Sequence, residues 1–247
     1  MLLKASTFAL IPALIIQGHR VKKNTPKLAE PEGQRHGQIG QGPSLSILIV
    51  GDSAAAGVGV AQQQQALLGK LLQQLQQDFQ IDYRLHAKTG HRTGQVIKAI
   101  AELDTQHYDV VISSVGVNDV TQLTPPKKWI VKQQQLYQTI QQKFSPMLIL
   151  ATGVPPMNLF PALPNPLAWL FGQYAKQMNQ QLDQWVHNQQ HMQWLPYDIE
   201  QFQALNLHMA ADGFHPSEEV YALWAAQLAE RIKLRFLSAK SDHCADE

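Results

Sequence analysis

The sequence predicts an α/β protein in which helices cover both faces of a parallel sheet. Short apolar runs bounded by turn residues alternate with longer segments in which apolar residues recur at helical spacing. Hydrophobic residues make up 45% of the 247 residues and charged residues 16%, which excludes a disordered chain. A formal net charge of +1 argues against a nucleic-acid-binding protein, and the lone Cys244 excludes an internal disulfide framework.

The N-terminal 23 residues are an apolar segment with a basic flank. Residues 1–16 are mostly apolar, and Arg20, Lys22 and Lys23 follow them. A secretory signal carries its positive charge mainly before the apolar run, whereas here most of the charge follows it and no small-residue cleavage pattern is seen. The run is also shorter than the ~20 residues that a spanning helix needs.

Three interpretations of residues 1–23 stay open: a short membrane anchor, a helix lying on the bilayer surface, and a helix docked on the domain. We favour contact with the membrane on its cytoplasmic side, and an exported protein is the alternative. Residues 24–44 hold three prolines and four glycines and are predicted to be a linker. The domain is then predicted to span residues 45–236, with a C-terminal tail over 237–247.

The first four elements after the linker are predicted in the order strand, helix, strand, helix. Residues 45–50 are an apolar run between turn residues, which is typical of a buried strand. Leucines recur at helical spacing within residues 60–78, which predicts a helix. Residues 81–87 alternate as a strand does, and residues 93–103 open with a threonine, a favoured N-cap residue, and continue as a helix.

The second half of the domain continues this alternation. Residues 108–115 and 147–152 are apolar runs that predict buried strands, and a glutamine-rich helix is predicted between them over 126–143. A long helix, a short strand and an amphipathic helix complete the domain over residues 166–190, 192–196 and 217–236. Parallel strands place the loops that follow them at one edge of the sheet, where α/β proteins bind ligands.

A serine follows the first strand, within Gly51-Asp52-Ser53. Its hydroxyl is placed at the carboxyl end of the strand, where backbone amides at the start of the next helix can meet a negatively charged oxygen. The alternative is an ordinary turn in which the serine caps the helix. The nearby glycines match neither a phosphate-binding loop nor a dinucleotide fingerprint, and no G-x-S-x-G elbow is present.

Two further motifs carry groups suited to acyl chemistry. Asn118, in a Gly-Val-Asn-Asp segment after the third strand, can donate its side-chain amide to an oxyanion, as can a backbone amide such as that of Gly90. Asp212 precedes His215 by three residues, so the carboxylate can hold one imidazole nitrogen and leave the other free to take a serine proton. The alternatives are a turn or helix cap at Asn118 and an exposed turn before the last helix.

The other histidines do not predict a metal site. His187 and His191 are four residues apart but lack a carboxylate partner, and we expect them on a solvated helix face. The spacing of His86, His91 and His208 selects none of them. We therefore expect neither a metal nor a cofactor.

Taken together, the three motifs resemble those of the SGNH hydrolases, also called the GDSL family of lipases and esterases. The resemblance implies Ser53 as nucleophile, His215 as general base and acid, and Asp212 as the residue that orients the imidazole. It also implies that the oxyanion is bound by the backbone N–H groups of Ser53 and Gly90 and by the side-chain amide of Asn118.

The resemblance extends over residues 45–236 and implies a flavodoxin-like, three-layer α/β/α fold with about five parallel strands. It implies hydrolysis of carboxylic esters through an acyl-enzyme, without a metal. Ala54 stands where the family usually has leucine. This departure is similar to a bacterial subgroup that includes esterases associated with N-acyl amino acid production. Gly94 lies close to Gly90 and is the competing assignment for the backbone donor.

The long apolar loop over residues 154–171 is where we expect the substrate's acyl group to bind. Met157, Leu159 and Phe160 are the candidates for an acyl pocket, because a loop this apolar is often a binding surface. The alternative is a loop packed on the domain's own core. With the apolar N-terminus, the loop favours a lipid-like acyl ester as a small-molecule substrate. A carbohydrate acetyl esterase and an acyltransferase are the alternatives on the same fold. A non-catalytic binding protein is a further alternative, but such a protein would be expected to lack one of the catalytic residues, and none is missing here.

Overall fold

The computed structural model describes residues 2–237 and has one mixed sheet between layers of helices. The strands, in chain order, are β1 (His36–Gly40), β2 (Ser44–Gly51), β3 (Gln80–Ala87), β4 (Val110–Ser114), β5 (Leu148–Thr152) and β6 (Met192–Leu195). The longer helices are α1 (Leu2–Asn24), α3 (Leu67–Leu75), α4 (Thr93–Ala101), α6 (Pro126–Phe144), α7 (Leu167–Val186) and α9 (Glu218–Phe236). Three shorter helices lie between them, α2 (Ser53–Ala56), α5 (Val117–Thr121) and α8 (Ile199–Ala204).

The strand order is β1-β3-β2-β4-β5-β6, and every neighbouring pair is parallel except β1 with β3. The five predicted strands form the parallel part of the sheet as β2 to β6, so the predicted α/β architecture is confirmed. β2 lies between β3 and β4 in the sheet. The residues that follow β2 therefore lie between the loop after β3 and the loop after β4.

The two faces of the sheet carry separate hydrophobic cores. Along β2, Ile47 and Ile49 face one core, and Leu48 and Val50 face the other, as the two-residue period of a strand requires. Helices α4, α6 and α7 contribute to the core on one face, and α3 and α9 contribute to the core on the opposite face. The fold is therefore the three-layer α/β/α sandwich that the sequence predicts.

The structure corrects the prediction that residues 24–44 are a linker. Helix α1 extends to Asn24, and residues 36–40 form β1, which pairs antiparallel with β3. The sequence of this strand, HGQIG, has a single apolar residue and no apolar periodicity. Its conformation is decided by the free edge of β3, to which it adds backbone hydrogen bonds, and local sequence gives no signal for that.

Helix α1 packs against α7. Leu14 is buried in the core on that side, and the Gln17 side chain donates to the carbonyl of Asn165 at 2.6 Å and accepts from the amide of Leu167 at 3.1 Å. Within residues 2–237, no helix combines the length and the apolar character needed to cross a membrane. Of the predicted C-terminal tail, only Leu237 lies within the described residues, and Cys244 lies outside them.

Candidate active site

Ser53 is the first residue of α2, directly beyond the carboxyl end of β2. The chain reaches it through a close approach at Gly51, where a Cβ atom would lie 2.0 Å from the carbonyl oxygen of Ser114. The Asp52 amide donates to that same carbonyl at 3.1 Å, and an oxygen of its side-chain carboxyl group accepts from the amide of Ala54 at 3.1 Å, capping α2. Glycine and aspartate thus turn the chain sharply and hold the serine at the sheet edge.

Asp212 and His215 form a compact turn before α9. One carboxylate oxygen of Asp212 accepts from the backbone amides of Phe214 and His215, both at 2.9 Å. The other lies 2.5 Å from Nδ1 of His215. Nε2 of His215 lies 2.9 Å from Oγ of Ser53, which is 162 residues away in the chain. The structure therefore brings Ser53, His215 and Asp212 into one hydrogen-bonded chain.

Contacts with the segment after α2 and with the loop between β5 and α7 hold this histidine turn in place; residues 167–171 of the predicted 154–171 loop belong to α7. Gly59, just after α2, has φ +120°, and a Cβ there would lie 2.1 Å from the carbonyl oxygen of Pro216. On the other side, the amide of Ala162 donates to the carbonyl of Gly213 at 3.2 Å. The turn that carries Asp212 and His215 therefore packs between the segment that follows Ser53 and the loop after β5.

The turn after β3, residues 88–92, carries Gly90 and lies beside Ser53. Its first amide, that of Lys88, donates to the carbonyl of Gly51 at 3.2 Å. Asn118 donates one amide hydrogen to the carbonyl of His91 at 3.0 Å, which leaves its second amide hydrogen available. Gly90 has φ +81° within this turn, whereas Gly94 lies in the first turn of α4.

The two buried carboxyl groups near Ser53 have opposite pKa shifts. Burial raises the pKa of Asp212, but hydrogen bonds from the side chain and backbone of His215 and from the Phe214 amide outweigh burial and hold the pKa below its usual value. Asp212 is therefore a carboxylate at neutral pH. Burial raises the pKa of Asp52 to about 7, even though its carboxyl accepts hydrogen bonds from the amides of Ala54 and Gly116.

A largely apolar cavity opens beside Ser53 and His215. Its walls come from the carboxyl ends of β4, β5 and β6, from the loop after β5, and from α8 and α9; the apolar side chains include Val154, Phe160, Leu195, Phe202, Leu223 and Trp224. None of residues 88–92, nor Asn118, is among the described residues that line it. The Gly90 turn is therefore not part of the cavity wall.

Only one of the three predicted acyl-pocket residues lines this cavity. Phe160 does so, with its ring centroid 5.0 Å from that of Phe214 in an edge-on contact. Met157 is fully buried in the hydrophobic core, and Leu159 is 41% exposed. The structure therefore does not bring Met157 and Leu159 to this cavity, because the short 3₁₀ turn Met157–Leu159 directs successive side chains to different surroundings.

A sequence model for the GDSL-like lipase/acylhydrolase family matches residues 49–223. The match spans the serine, the Gly90 turn, Asn118 and the Asp212–His215 turn. The chain belongs to the GDSL-like lipase/acylhydrolase family. It is accordingly a carboxylic ester hydrolase. No curated protein sequence matches the chain.

Solved structures share the fold of this GDSL hydrolase at low sequence identity. A lipolytic protein of the G-D-S-L family from Veillonella parvula has a TM-score of 0.60 and 14% identity, covering 75% of this chain and 97% of its own. The esterase EstA from Pseudoalteromonas sp. has a TM-score of 0.56 and 20% identity, covering 76% and 96%. A carbohydrate esterase with a carbohydrate-binding domain from Corynascus thermopiles has a TM-score of 0.61 and 14% identity, covering 79% and 67%.

Sequence reasoning missed the far wall of the cavity of this GDSL hydrolase. Phe202 lies on α8, which was not predicted, and Leu223 and Trp224 lie on α9, which was predicted without any indication of the surface that it faces. Apolar side chains on α9 face either the core or the cavity, so apolar periodicity alone could not tell which residues of α9 face the cavity. Within residues 2–237 no group of three His, Cys, Asp or Glu side chains is arranged to hold a metal, and the expected independence from metals stays a prediction.

Proposed function

We propose that this GDSL hydrolase cleaves esters by nucleophilic attack of Ser53, with His215 as general base and acid and Asp212 as the residue that orients it. The observation that carries the proposal is the continuous hydrogen-bonded chain through the three side chains, with His215 2.9 Å from Ser53 and 2.5 Å from Asp212. An ionised Asp212 fixes the hydrogen on Nδ1, so the lone pair of Nε2 faces the serine hydroxyl.

In the proposed acylation, Oγ of Ser53 forms a bond to the ester carbonyl carbon while Nε2 of His215 takes the hydroxyl proton. The tetrahedral intermediate then collapses, the bond to the alcohol oxygen breaks, and His215 returns the proton to that oxygen. In deacylation a water molecule attacks the acyl-enzyme, His215 accepts the water proton, and Ser53 leaves with the proton restored.

We propose that the backbone N–H groups of Ser53 and Gly90 and the free amide hydrogen of Asn118 bind the oxyanion. Support comes from the Gly90 turn, which is tied to Gly51 on one side and to Asn118 on the other. Such donors act most strongly on charge that develops in the transition state, and the loss of one costs about 3–4 kcal/mol of barrier.

The substrate that the site favours is a lipid-like acyl ester. Support comes from the apolar cavity beside Ser53, whose aromatic and aliphatic walls match an acyl chain better than a sugar. The carbohydrate esterase from Corynascus thermopiles shares the fold alone. Transfer of the acyl group to an alcohol instead of water is the competing outcome of the same acyl-enzyme.

We also propose that α1 brings the enzyme to the cytoplasmic surface of a membrane. The face of α1 that points away from α7 exposes Ile11, Ile15 and Ile16, and the exposed basic residues of its last two turns follow directly. An apolar surface beside positive charge is the combination that binds anionic lipid interfaces.

A p-nitrophenyl ester series from acetate to palmitate tests the proposed reaction. We expect hydrolysis to peak at medium or long chains and to be lost in Ser53→Ala, whereas Ser44→Ala, at the exposed start of β2, keeps the parent rate. Undiminished hydrolysis in Ser53→Ala would contradict the nucleophile assignment, and a peak at acetate would favour the carbohydrate acetyl esterase. A monoethylphosphonate-type label, the inhibitor bound in the Pseudoalteromonas esterase structure, should attach to the parent protein and not to Ser53→Ala.

A further inference from the structure

Three buried polar side chains lie beside the proposed oxyanion donors and have no part in the proposed reaction. Thr93, Asp119 and Gln133 each expose at most 1% of their surface. Burial of a polar group lowers stability unless hydrogen bonds satisfy it. One oxygen of Asp119, Oδ1, is buried without a hydrogen-bond partner among the described residues, so an apolar side chain would avoid a cost that the carboxyl group carries. What distinguishes the carboxyl group is therefore what its other oxygen holds.

Asp119, on α5, is hydrogen-bonded to the first residue of α4. Its Oδ2 accepts from the backbone amide of Thr93 at 2.9 Å and from the hydroxyl of Thr93 at 2.8 Å. Amides in the first turn of a helix have no partner within the helix, and the helix dipole favours an acidic side chain at this end. Asp119 thus fastens α5 to the start of α4, directly after the 88–92 turn.

Asn118 and Asp119 are consecutive residues, and they hold two points of one short segment. Asn118 donates to the carbonyl of His91 at 3.0 Å, and Asp119 binds Thr93, two residues further along the chain. Gly90 directly precedes His91, so the turn that carries one proposed oxyanion donor is bound to the residue that carries the other. A movement of α5 relative to this turn would break both contacts and change the distance between the two donors.

Gln133, on α6, supports the contact between α4 and α5. Its Nε2 donates to the hydroxyl of Thr93 at 3.0 Å and to the carbonyl of Val115 at 3.4 Å. Because Nε2 can only donate, the Thr93 hydroxyl accepts from it and gives its own hydrogen to Asp119. Val115 lies two residues before α5, so Gln133 also holds the chain that leads into α5. Gln133, Thr93 and Asp119 together form the Asp119 network.

We propose that the Asp119 network positions the two oxyanion donors, the backbone N–H of Gly90 and the side-chain amide of Asn118, so that both reach the same oxyanion. No member of the network lines the apolar cavity, so its members are positioning residues that act through these two donors. Donors that stabilise a developing charge must be in place before the reaction, and a misplacement of about 1 Å slows an enzyme by about a hundredfold. This inference rests on the proposed serine mechanism and adds the residues that set its oxyanion geometry.

Thr93→Val tests the network with the smallest change, because it removes the hydroxyl and keeps the backbone amide and the volume of the side chain. With p-nitrophenyl octanoate as substrate, we expect kcat to fall about tenfold and KM to change less than about twofold, since the donors act on the transition state. Thr93→Ser keeps the hydroxyl and should keep the parent kcat. Asp119→Ala should lower kcat about a hundredfold, and Asp119→Asn, whose side-chain oxygen can still accept from Thr93, should recover most of this loss.

Tyr137→Phe, on the same helix as Gln133, is the matched control. Tyr137 is buried, and its hydroxyl lies 2.8 Å from that of Ser113, so this substitution also removes a buried hydrogen bond, but one outside the network. We expect similar losses of Tm in Tyr137→Phe and Thr93→Val, with kcat lowered only in Thr93→Val. The comparison separates positioning of the donors from a general loss of stability.

A double-mutant cycle with Asn118→Ala tests whether the network acts through the oxyanion donors. In the Asn118→Ala background, Thr93→Val should lower kcat by about threefold instead of about tenfold, because one of the two donors that the network positions is already gone. An undiminished tenfold effect in that background would show that Thr93 acts elsewhere and would overturn the inference.

Assays of Ser53→Ala separate this inference from the proposed function. If Ser53→Ala is inactive while Thr93→Val and Asp119→Ala keep the kcat of Tyr137→Phe, the inference is overturned and the serine mechanism stands. Hydrolysis that survives in Ser53→Ala would overturn both. If Asp119→Ala does not fold, the kcat of Thr93→Val and its recovery in Thr93→Ser decide the question.

Discussion

Glu30 accepts two hydrogen bonds from Thr89, one from the backbone N–H and one from the hydroxyl, both at 2.7 Å. The second carboxylate oxygen of Glu30 pairs with Arg35, which in turn donates to the carbonyl of Ala87 at 2.6 Å. Glu30, in the segment before β1, therefore holds the Gly90 turn through Thr89, which is next to the proposed oxyanion donor Gly90. Burial acts to raise the pKa of Glu30, but hydrogen bonds from the hydroxyl and the amide of Thr89, together with the charge and hydrogen bond of Arg35, outweigh burial and hold this pKa below its usual value.

Glu30→Ala should lower kcat more than it changes KM, because Glu30 acts as a positioning residue for the Gly90 turn. We expect a fall of about tenfold, the cost of about 1–2 kcal/mol when charge-assisted hydrogen bonds are lost. Glu30→Gln, which can still accept from Thr89, should recover part of the rate. Glu32→Ala, an exposed neighbour, is the control, and a kcat for Glu30→Ala equal to that of the control would refute the positioning role.

Gly59→Ala should reduce both stability and activity. The new Cβ would meet the carbonyl of Pro216 at a backbone angle that L side chains rarely adopt, so the turn carrying His215 must move away from Ser53. We expect a loss of about 2–4 kcal/mol in unfolding free energy and at least about a tenfold loss of kcat. Gly94→Ala, in α4 with no atom within 4 Å of the added Cβ, should instead be neutral or stabilise by up to about 1 kcal/mol. Equal effects of the two substitutions would show that the close approach at Gly59 is not needed.

Asp52 should make the enzyme less stable as pH rises from about 4 to 7. Its pKa is raised from 3.8 to about 7 by burial, so over this window the unfolded carboxyl ionises while the folded one keeps its proton. The unfolded state then binds fewer protons, and up to about 4 kcal/mol of stability is lost across the window. The His215 and Asp119 charges act on the same group in opposite directions.

Asp52→Asn removes this titration, and denaturant unfolding between pH 4 and 7 measures the effect. We expect a flatter stability profile for Asp52→Asn than for the parent, and the parent profile for Asp104→Asn, whose side chain is exposed. A difference in stability between the parent and Asp52→Asn that does not change with pH over this range would contradict a neutral buried Asp52.

Phe160→Ala should weaken the preference for longer acyl chains. Phe160 lines the cavity, and its loss removes apolar contact with an acyl chain that is worth about 1–2 kcal/mol. The ratio of kcat/KM for p-nitrophenyl octanoate to that for the acetate should fall about tenfold, and this ratio is insensitive to a smaller folded fraction. Leu159→Ala should keep the ratio, because Leu159 is exposed. An unchanged ratio in Phe160→Ala would place the acyl group elsewhere.

The double substitution Ile15→Glu and Ile16→Glu should abolish binding to vesicles that contain anionic lipid. Both side chains are more than half exposed on α1, at 56% and 64%, so the change places charge in the proposed interface without opening the core. Co-sedimentation with vesicles of neutral and anionic composition measures the binding. Val131→Glu, on the exposed face of α6, is the matched control, and a parent protein that does not sediment with anionic vesicles would end the membrane proposal.

The predicted elements agree with the structure where the signal is local. The strands β2, β4 and β5 are apolar runs, β3 alternates, and helices such as α3 show apolar periodicity; each of these patterns is visible within a single segment. β1 was missed because its pairing partner, β3, lies about 40 residues further along the chain. The short helices α2, α5 and α8 have at most six residues, too few to display a helical period.

The sequence by itself determined the fold class and the chemical groups available for catalysis. It also predicted the contact between Asp212 and His215, because three residues on a turn bring a carboxylate and an imidazole together without distant structure. Only the tertiary structure decided which residues form the apolar cavity beside Ser53. That cavity depends on packing between segments far apart in the chain, namely the loop after β5, α8 and α9, and the local sequence pattern of each segment does not reveal which other segments it will meet.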